Sequence, residues 1–494
     1  MGLEINRETF TDDEYERFSE RLDHSLGVLE RLLARPGFGE GEASIGAELE
    51  VSLVDEAGRP LPLNQDVLAE SVDPRLTVEL NRFNLESNLR HGPLAGRPFA
   101  FLEEEMRDSL GEIERAAALH QAQVAMIGIL PTLTEADLAS DAMTEAARFR
   151  ALSTSLRRLR REPFLLQIRG EDELELRCHD VTYEGAATSL QLHLRVAPSD
   201  FGAIYNAVQL TTPLVLAASG NSPTFLGRRL WDETRVALFK QAVDHRRERG
   251  RDGEPARVSF GSAWIGSAFE LFEENVRRHA VLLPVLGNED PEAALAAGRM
   301  PALPELRLHQ GTVWRWNRAI FDPADGGHLR IEMRVLPAGP TIVDMLANSA
   351  FQIGLALALA PDIAAWTQHL SFEEVHHDFY RAARDGLAAH LSWPAEPGAP
   401  GRSRSAQMLL ESLLPKAQQG LDAAGVERSD SSRWLEIFDR RVRSGQTGAA
   451  WQRRALAAAG TTMPRNEALA HMFRCYRRHS EDSQPVASWP ESSL

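Results

Sequence analysis

Ile45, Ala47, Leu49, Val51 and Leu53 alternate with Ser44, Gly46, Glu48, Glu50 and Ser52. An alternation of period two predicts a half-buried strand over Ser44–Asp55. Glu48 and Glu50 then project from one face, because successive strand residues point to opposite sides. Two carboxylates so close repel each other unless protons or cations lie between them. Taken alone, Glu-x-Glu is most often a solvated strand face. It gains meaning only if further acidic groups and a histidine occur on other strand-like segments.

They do. Leu76–Leu89 is strand-like and carries Glu79 and Glu86. Their odd separation puts them on opposite faces of an unbroken strand, so a shared site demands a bulge or turn around Asn81–Asn84. Phe164–Arg169, Glu173–Asp180 and Ser189–Val196 follow as three strands. In the last of these Ser189, Gln191, His193 and Arg195 share one face. Leu306–Val335 reads as a second sheet region, with Arg330, Glu332 and Arg334 on one face of its final strand. Helical spacing marks Thr11–Ala34 (opened by a Thr11/Glu14 capping box), Phe99–Gln123, Asp200–Ala218, Asp344–Ala360 and Phe372–Leu391. Ser392–Ser405 is rich in Pro, Gly, Ser and Arg and is expected to be a linker. Ala406–His479 is helical in pattern, and Ser480–Leu494 is expected to be poorly ordered. Trp314 and Trp316 suit core packing better than stacking on a base.

The 494 residues carry a net charge of −17, which argues against a general nucleic-acid binder or an adherent of anionic membranes. Lys240 and Lys416 are the only lysines, so no lysine-containing phosphate loop exists and nearly all positive charge is arginine. Cys178 and Cys475, the only cysteines, cannot build a disulfide framework or a cysteine zinc site, and a reducing cytoplasm fits them. The start MGLEINRETF lacks the apolar region of a secretory signal. The most apolar run, Phe351–Ala360, is too short to span a bilayer. The Asp200–Ala218 and Asp344–Ala360 helices are candidate subunit contacts, which leaves a homo-oligomer open.

Six groups thus fall on polar strand faces: Glu48, Glu50, Glu79, Glu86, His193 and Glu332. Oxygen-rich sets with one imidazole suit Mg²⁺ or Mn²⁺. Five carboxylates exceed the charge of one divalent ion, so two or three ions shared with substrate phosphates fit better.

The stretches GAELE (Gly46–Glu50), ELNRFNLES (Glu79–Ser87), TSLQLHL (Thr188–Leu194), GNSPTFLGR (Gly220–Arg228), LRIEMRV (Leu329–Val335) and YRAARDGL (Tyr380–Leu387) also resemble those of the glutamate–cysteine ligase family, in its bacterial carboxylate–amine ligase branch. The resemblance implies an α+β, glutamine-synthetase-like catalytic domain over 1–391. Its curved, largely antiparallel sheet would carry helices on the outer face. A linker would follow at 392–405, then a helical C-terminal extension over 406–494. It further implies that Glu50, Glu79 and Glu86 hold one ion, and that Glu48, His193 and Glu332 hold a second beside the nucleotide's terminal phosphates. Glu332 and Arg334 would act at the transferring phosphoryl group, with Arg235 on a phosphate or the substrate carboxylate. Ser189, Gln191 and Arg330 would join Arg334 in lining the nucleotide. The implied chemistry is ATP- and Mg²⁺-dependent amide formation through an acyl phosphate, joining glutamate to cysteine or another amine. After Pro223, however, the run to Arg235 departs from the family's glycine- and threonine-containing pattern, which leaves the acid open. A metal-dependent amidohydrolase or phosphotransferase, or a nucleotide-binding regulatory protein without turnover, are the alternatives.

Overall fold

The computed structural model describes residues 5–246 and 255–490. Its centre is an eight-stranded sheet. The strands are β1 (Ser44–Val54), β2 (Leu76–Val78), β3 (Asn84–Asn88), β4 (Gly92–Pro93), β5 (Gln123–Ala125), β6 (Leu190–Val196), β7 (Asn317–Asp322) and β8 (His328–Met333). The order is β7-β8-β6-β1-β3-β2, with β4 and β5 also paired to β1, and every pairing is antiparallel. The sheet curls into a half-barrel. β7 and β8 belong to this sheet and not to a second one, because β8 pairs directly with β6. Pro304–Gln310, at the start of the expected second sheet, is a helix opened by a proline. The 164–169 and 173–178 strands form a separate hairpin.

Leu76–Leu89 is broken as the shared-site argument demands. β2 turns back on β3 so that Thr77 faces Glu86. Asn64 pins the turn, donating to Asn81 O (3.2 Å), Asn84 O (3.1 Å) and Thr144 Oγ1 (2.8 Å). Asn81 in turn donates to Thr182 O at 2.9 Å.

Leu49, Val51, Leu192, Leu194, Ile331 and Met333 form the apolar side of the sheet and are buried. Helices α1 (Asp12–Leu33), α2 (Pro98–Ala118), α3 (Phe201–Ser219) and α4 (Ile342–Leu359) surround the core. The capping box at the head of α1 is present. By length and composition, α3 and the helical run Ile342–Thr367 could cross a membrane, but each has 89% of its apolar window buried inside the protein. They are core helices, packed on each other and on their neighbours, and so are not available as the subunit contacts expected from their apolar sequence. Trp316 is also core, packed edge-on to Phe239 and tilted against Phe379.

Helix α5 (Phe372–Asp385) ends at Gly386, ahead of the expected end. The expected linker is instead a hairpin of β9 (His390–Pro394) and β10 (Gly401–Ser405). Trp393 buries against Trp366 and the turn takes the Pro and Gly, which explains why composition alone misleads there. Beyond it, α6 (Ala406–Ala423) packs along α4 so closely that a Cβ on Gly420 would lie 1.9 Å from Gly354 O. Helices α7 (Arg428–Ser444), α8 (Gly448–Ala459) and α9 (Arg465–Glu481) complete the layer. The tail is anchored as far as Pro490: Val486 N donates to Asp344 Oδ2 at 2.9 Å, and Trp489 is buried between Trp451 and Tyr476. Residues 491–494 of the expected tail lie outside the described residues.

Two outcomes test this integration. A chain ending at Ser405 should lose cooperative thermal unfolding, because the α4 face that meets α6 and α7 becomes solvent-exposed. A sharp transition near that of the full chain would contradict it. Gly448→Ala should lower stability by about 1–3 kcal/mol. Its new Cβ would sit 2.2 Å from Asn221 Oδ1, and denaturant melts read the loss.

Candidate active site

The polar side of the sheet carries a ladder of functional groups. Cross-strand partners run Arg318–Glu332–His193–Gly46 in one row and Gln191–Glu48–Asn88 in the next. Glu50 lies opposite Glu86 across β1 and β3. The alternation of β1, β3, β6 and β8 therefore brings together groups that are remote in sequence.

His193 Nε2 lies 3.0 Å from Glu48 Oε1 and 3.8 Å from Glu332 Oε1. One ligand atom from each of these three residues falls within 4.8 Å of the others, the one such group among the described residues. Both ring nitrogens of His193 are buried without a hydrogen bond. An imidazole nitrogen facing two carboxylate oxygens is a donor set that a divalent cation fits. Glu50, Glu79 and Glu86 share the polar side but do not close to that spacing. Glu50 instead accepts from Ser189 N (2.7 Å) and Gln191 Nε2 (2.9 Å). Glu86 accepts from Asn88 Nδ2 at 2.9 Å, and Glu79 from Leu80 N at 3.1 Å.

The arginines divide into three kinds. Arg334 donates to Gln191 Oε1 and, at 3.2 Å, to Glu332 Oε2. Arg330 pairs with Asp322 at 2.9 Å and stands directly opposite Arg195. Arg235 is buried and donates to Glu233 Oε1 and Val335 O, both at 2.6 Å, so it backs the site without opening into it. Its segment is held from behind. Asn221 donates to Ala338 O and Tyr476 Oη, each at 2.8 Å, and Gln452 donates to Asn221 Oδ1 at 2.9 Å. Asp232 N and Glu233 N meet the carbonyls of Arg384 and Ala383 at the end of α5. There Gly386 has φ +53° and approaches so closely that a Cβ would lie 2.1 Å from Asp232 Oδ2.

Charge polarises the two ends. Burial raises the Glu50 carboxyl to about 7, helped by repulsion from Glu79. Burial likewise raises Glu79, and it raises Glu86 well above the carboxylate range with Glu48, Glu79 and Glu50 adding to it. Glu332 behaves oppositely: burial opposes its charge, but Arg318, Arg334 and His193 outweigh burial and hold the carboxyl far below its usual range. Glu48 is also lowered, its burial offset mainly by His193.

Three participants are absent from the sequence reading of the site. Arg318 reaches Glu332 from the edge strand. Arg195, although placed on the correct face, had no role. Glu184, on a short 3₁₀ turn over Val181–Ala186, is raised to about 8 by burial and by Glu79 and Glu50. The alternation of β7 could have flagged Arg318, whereas a 3₁₀ turn has no period that could flag Glu184.

A cavity of about 260 Å³ opens beside the His193 group. Glu48 and His193 line one part of it and Arg195, Arg330 and His328 another.

A curled antiparallel half-barrel backed by helices is the fold of the glutamine-synthetase-like ligases. The model of glutamate–cysteine ligase family 2 matches residues 44–472, and the chain belongs to that family. No curated protein sequence matches the chain. Among solved structures it is similar to the glutamate–cysteine ligase of Francisella tularensis in complex with AMP. The identity is 11% and the TM-score 0.55, over 92% of this chain and 91% of that one. A bifunctional glutathione synthetase from Pasteurella multocida is also similar, at 11% identity and TM-score 0.48, over 93% of this chain and 55% of that one.

The raised carboxyls predict a pH dependence. A carboxyl whose pKa is higher folded than unfolded stabilises the fold below its unfolded value and loses that contribution as pH rises through the folded value. With Glu50 moving from 4.5 to about 7 and Glu184 from 4.5 to about 8, the metal-free protein should lose thermal stability between about pH 5 and 8. Millimolar Mg²⁺ or Mn²⁺ should restore it at the upper end. A melting temperature that rises over this window without metal would contradict the electrostatics.

Proposed function

We propose that the protein is an ATP-dependent carboxylate–amine ligase that forms a γ-glutamyl-type amide through an acyl phosphate. The observation that carries this reading is the convergence of Glu48, His193 and Glu332 beside a cavity with arginines on its lining. Arg195 and Arg330 are direct cross-strand partners. Like charges so placed destabilise a sheet unless an anion lies between them. The Nε atoms of both arginines are buried without partners. A polyphosphate chain supplies the missing acceptors, and guanidinium forks suit it where the chain offers almost no lysine.

Mg²⁺, or Mn²⁺ in its place, would be held by Glu48, His193 and Glu332, with further ions at Glu50, Glu79 and Glu86, and would neutralise charge on the terminal phosphates. Arg334, fixed by Gln191 and Glu332, presents its charge beside the same group. Ser189 and Gln191 orient Glu50, and Arg235 stands behind it as a counter-charge. In the reaction, a carboxylate oxygen of the acid attacks the γ-phosphorus, the P–O bond to ADP breaks, and an acyl phosphate forms. The amine nitrogen then attacks the acyl carbon, the C–O bond to phosphate breaks, and the amine's proton passes to water. The residues' task is positioning and charge compensation more than covalent chemistry. Glutamate is the acid favoured by family membership, with cysteine or another amino compound as the amine. Cys178 and Cys475 are both buried as thiols, which suits a cytoplasmic setting.

An amine panel with glutamate, ATP and Mg²⁺, read as phosphate release, tests the proposal. Release should require both acid and amine. Glu332→Gln and Glu50→Gln should each lower turnover by about 10³-fold with an unchanged circular dichroism spectrum. Release indifferent to the amine, or full turnover in either variant, would defeat the reading.

A further inference from the structure

Glu332 meets the site with both carboxylate oxygens already taken. Arg318, its cross-strand neighbour on β7, donates from Nη2 to Oε1 at 2.7 Å and places Nε 2.7 Å from Oε2. Arg334 contacts Oε2 as well. Oε1 is the oxygen that lies 3.8 Å from His193 Nε2, so it is the one facing the candidate cation site. The Glu332 side chain is 1% exposed and that of Arg318 14%.

A divalent cation between Glu48, His193 and Glu332 would stand close to two guanidinium groups in a region largely shielded from water. Repulsion there is far stronger than in bulk solvent, so one of the two groups is driven off. Arg334 is held a second time, by Gln191. Arg318 has a second place to go. Its Nη1 donates to Gln310 O at 3.4 Å, and the side chain lines a cavity of about 500 Å³ with Phe272, Gln310, Ile320, Asp322 and Arg330. Asp322 and Arg330 also line the cavity beside His193, so the two spaces adjoin.

We propose that Arg318 is an exchangeable counter-ion. It neutralises Glu332 while no divalent cation is present, releases the carboxylate when one enters, and turns its fork to an oxyanion of the bound nucleotide. The inference rests on the ligase reading, since it needs a cation at Glu332 and an anionic ligand nearby. A permanent structural salt bridge is the plain alternative, and the two differ in the sign of a measurable effect. The exchange also gives the order of events a physical basis: cation and nucleotide compete with, and then recruit, the same arginine.

Mn²⁺ titrations followed by electron paramagnetic resonance, without nucleotide, should show Arg318→Gln binding Mn²⁺ about tenfold more tightly than the wild type, because no guanidinium has to be displaced. The metal-free variant should melt below the wild type, with the gap closing at saturating Mn²⁺. With Mn²⁺ saturating, a non-hydrolysable ATP analogue should bind the variant about tenfold more weakly. Mn²⁺ affinity equal to or weaker than that of the wild type, or unchanged analogue affinity, would overturn the exchange. Wild-type crystals soaked in Mn²⁺ provide an answer that needs no variant to fold. Manganese at Glu48, His193 and Glu332 with Arg318 off Glu332 supports the inference. Manganese there with Arg318 still in place overturns the inference alone, and no manganese at these residues overturns the ligase reading with it.

Discussion

Repulsion among Glu48, Glu50, Glu79, Glu86 and Glu184 is the constraint around which the rest of the molecule is arranged. Each is drawn out of bulk water, and most of them raise one another's pKa. A side-chain cluster alone would fly apart. Here the backbone ladder prevents it, because β1 is paired on both edges, with β6 and β5 on one and β3 and β4 on the other. The strand carboxylates are held at this spacing chiefly by backbone pairing, and the few hydrogen bonds that Glu50 and Glu86 accept only orient them. The energy that holds the site therefore comes from the apolar side of the same strands, where Leu49, Val51, Leu192, Leu194, Ile331 and Met333 bury against the helices.

That dependence explains why the C-terminal helices are integral to the fold. The sheet's helical backing includes α2 and α3, α4 packs on both, and α4 is covered in turn by α6 and α7. Asn221, at the centre of the GNSP stretch, is gripped by Tyr476 and Gln452 from α9 and α8. Glu233 and Arg235 follow from that stretch, so the last helices of the chain bear on an arginine whose charge favours the ionised Glu50.

The strand carrying Glu48 and Glu50, the break at Asn81–Asn84, and the shared face of His193 and Glu332 were legible because each follows from period-two alternation or its violation. Tertiary context hid the rest. Ser392–Ser405 has the composition of a linker, yet two tryptophans meeting across the fold draw it into a hairpin. The apolar run of α4 gave no hint of which partner would cover it. Arg235 was matched to a ligand contact by motif alone, and the chain takes one of its donors at the nearby Glu233 and another at the remote Val335 carbonyl. Glu50, Glu79 and Glu86 were grouped by the resemblance alone, and they share the polar side at wider spacing than the Glu48–His193–Glu332 group.

The account stands or falls on whether that group and its arginines grip a nucleotide together with a cation. Calorimetric titration of a non-hydrolysable ATP analogue, with and without Mg²⁺, is the most direct measurement. Uptake should be strong only when Mg²⁺ is present and should vanish in Glu48→Gln. Equal uptake without the metal, or uptake that survives the substitution, would contradict it.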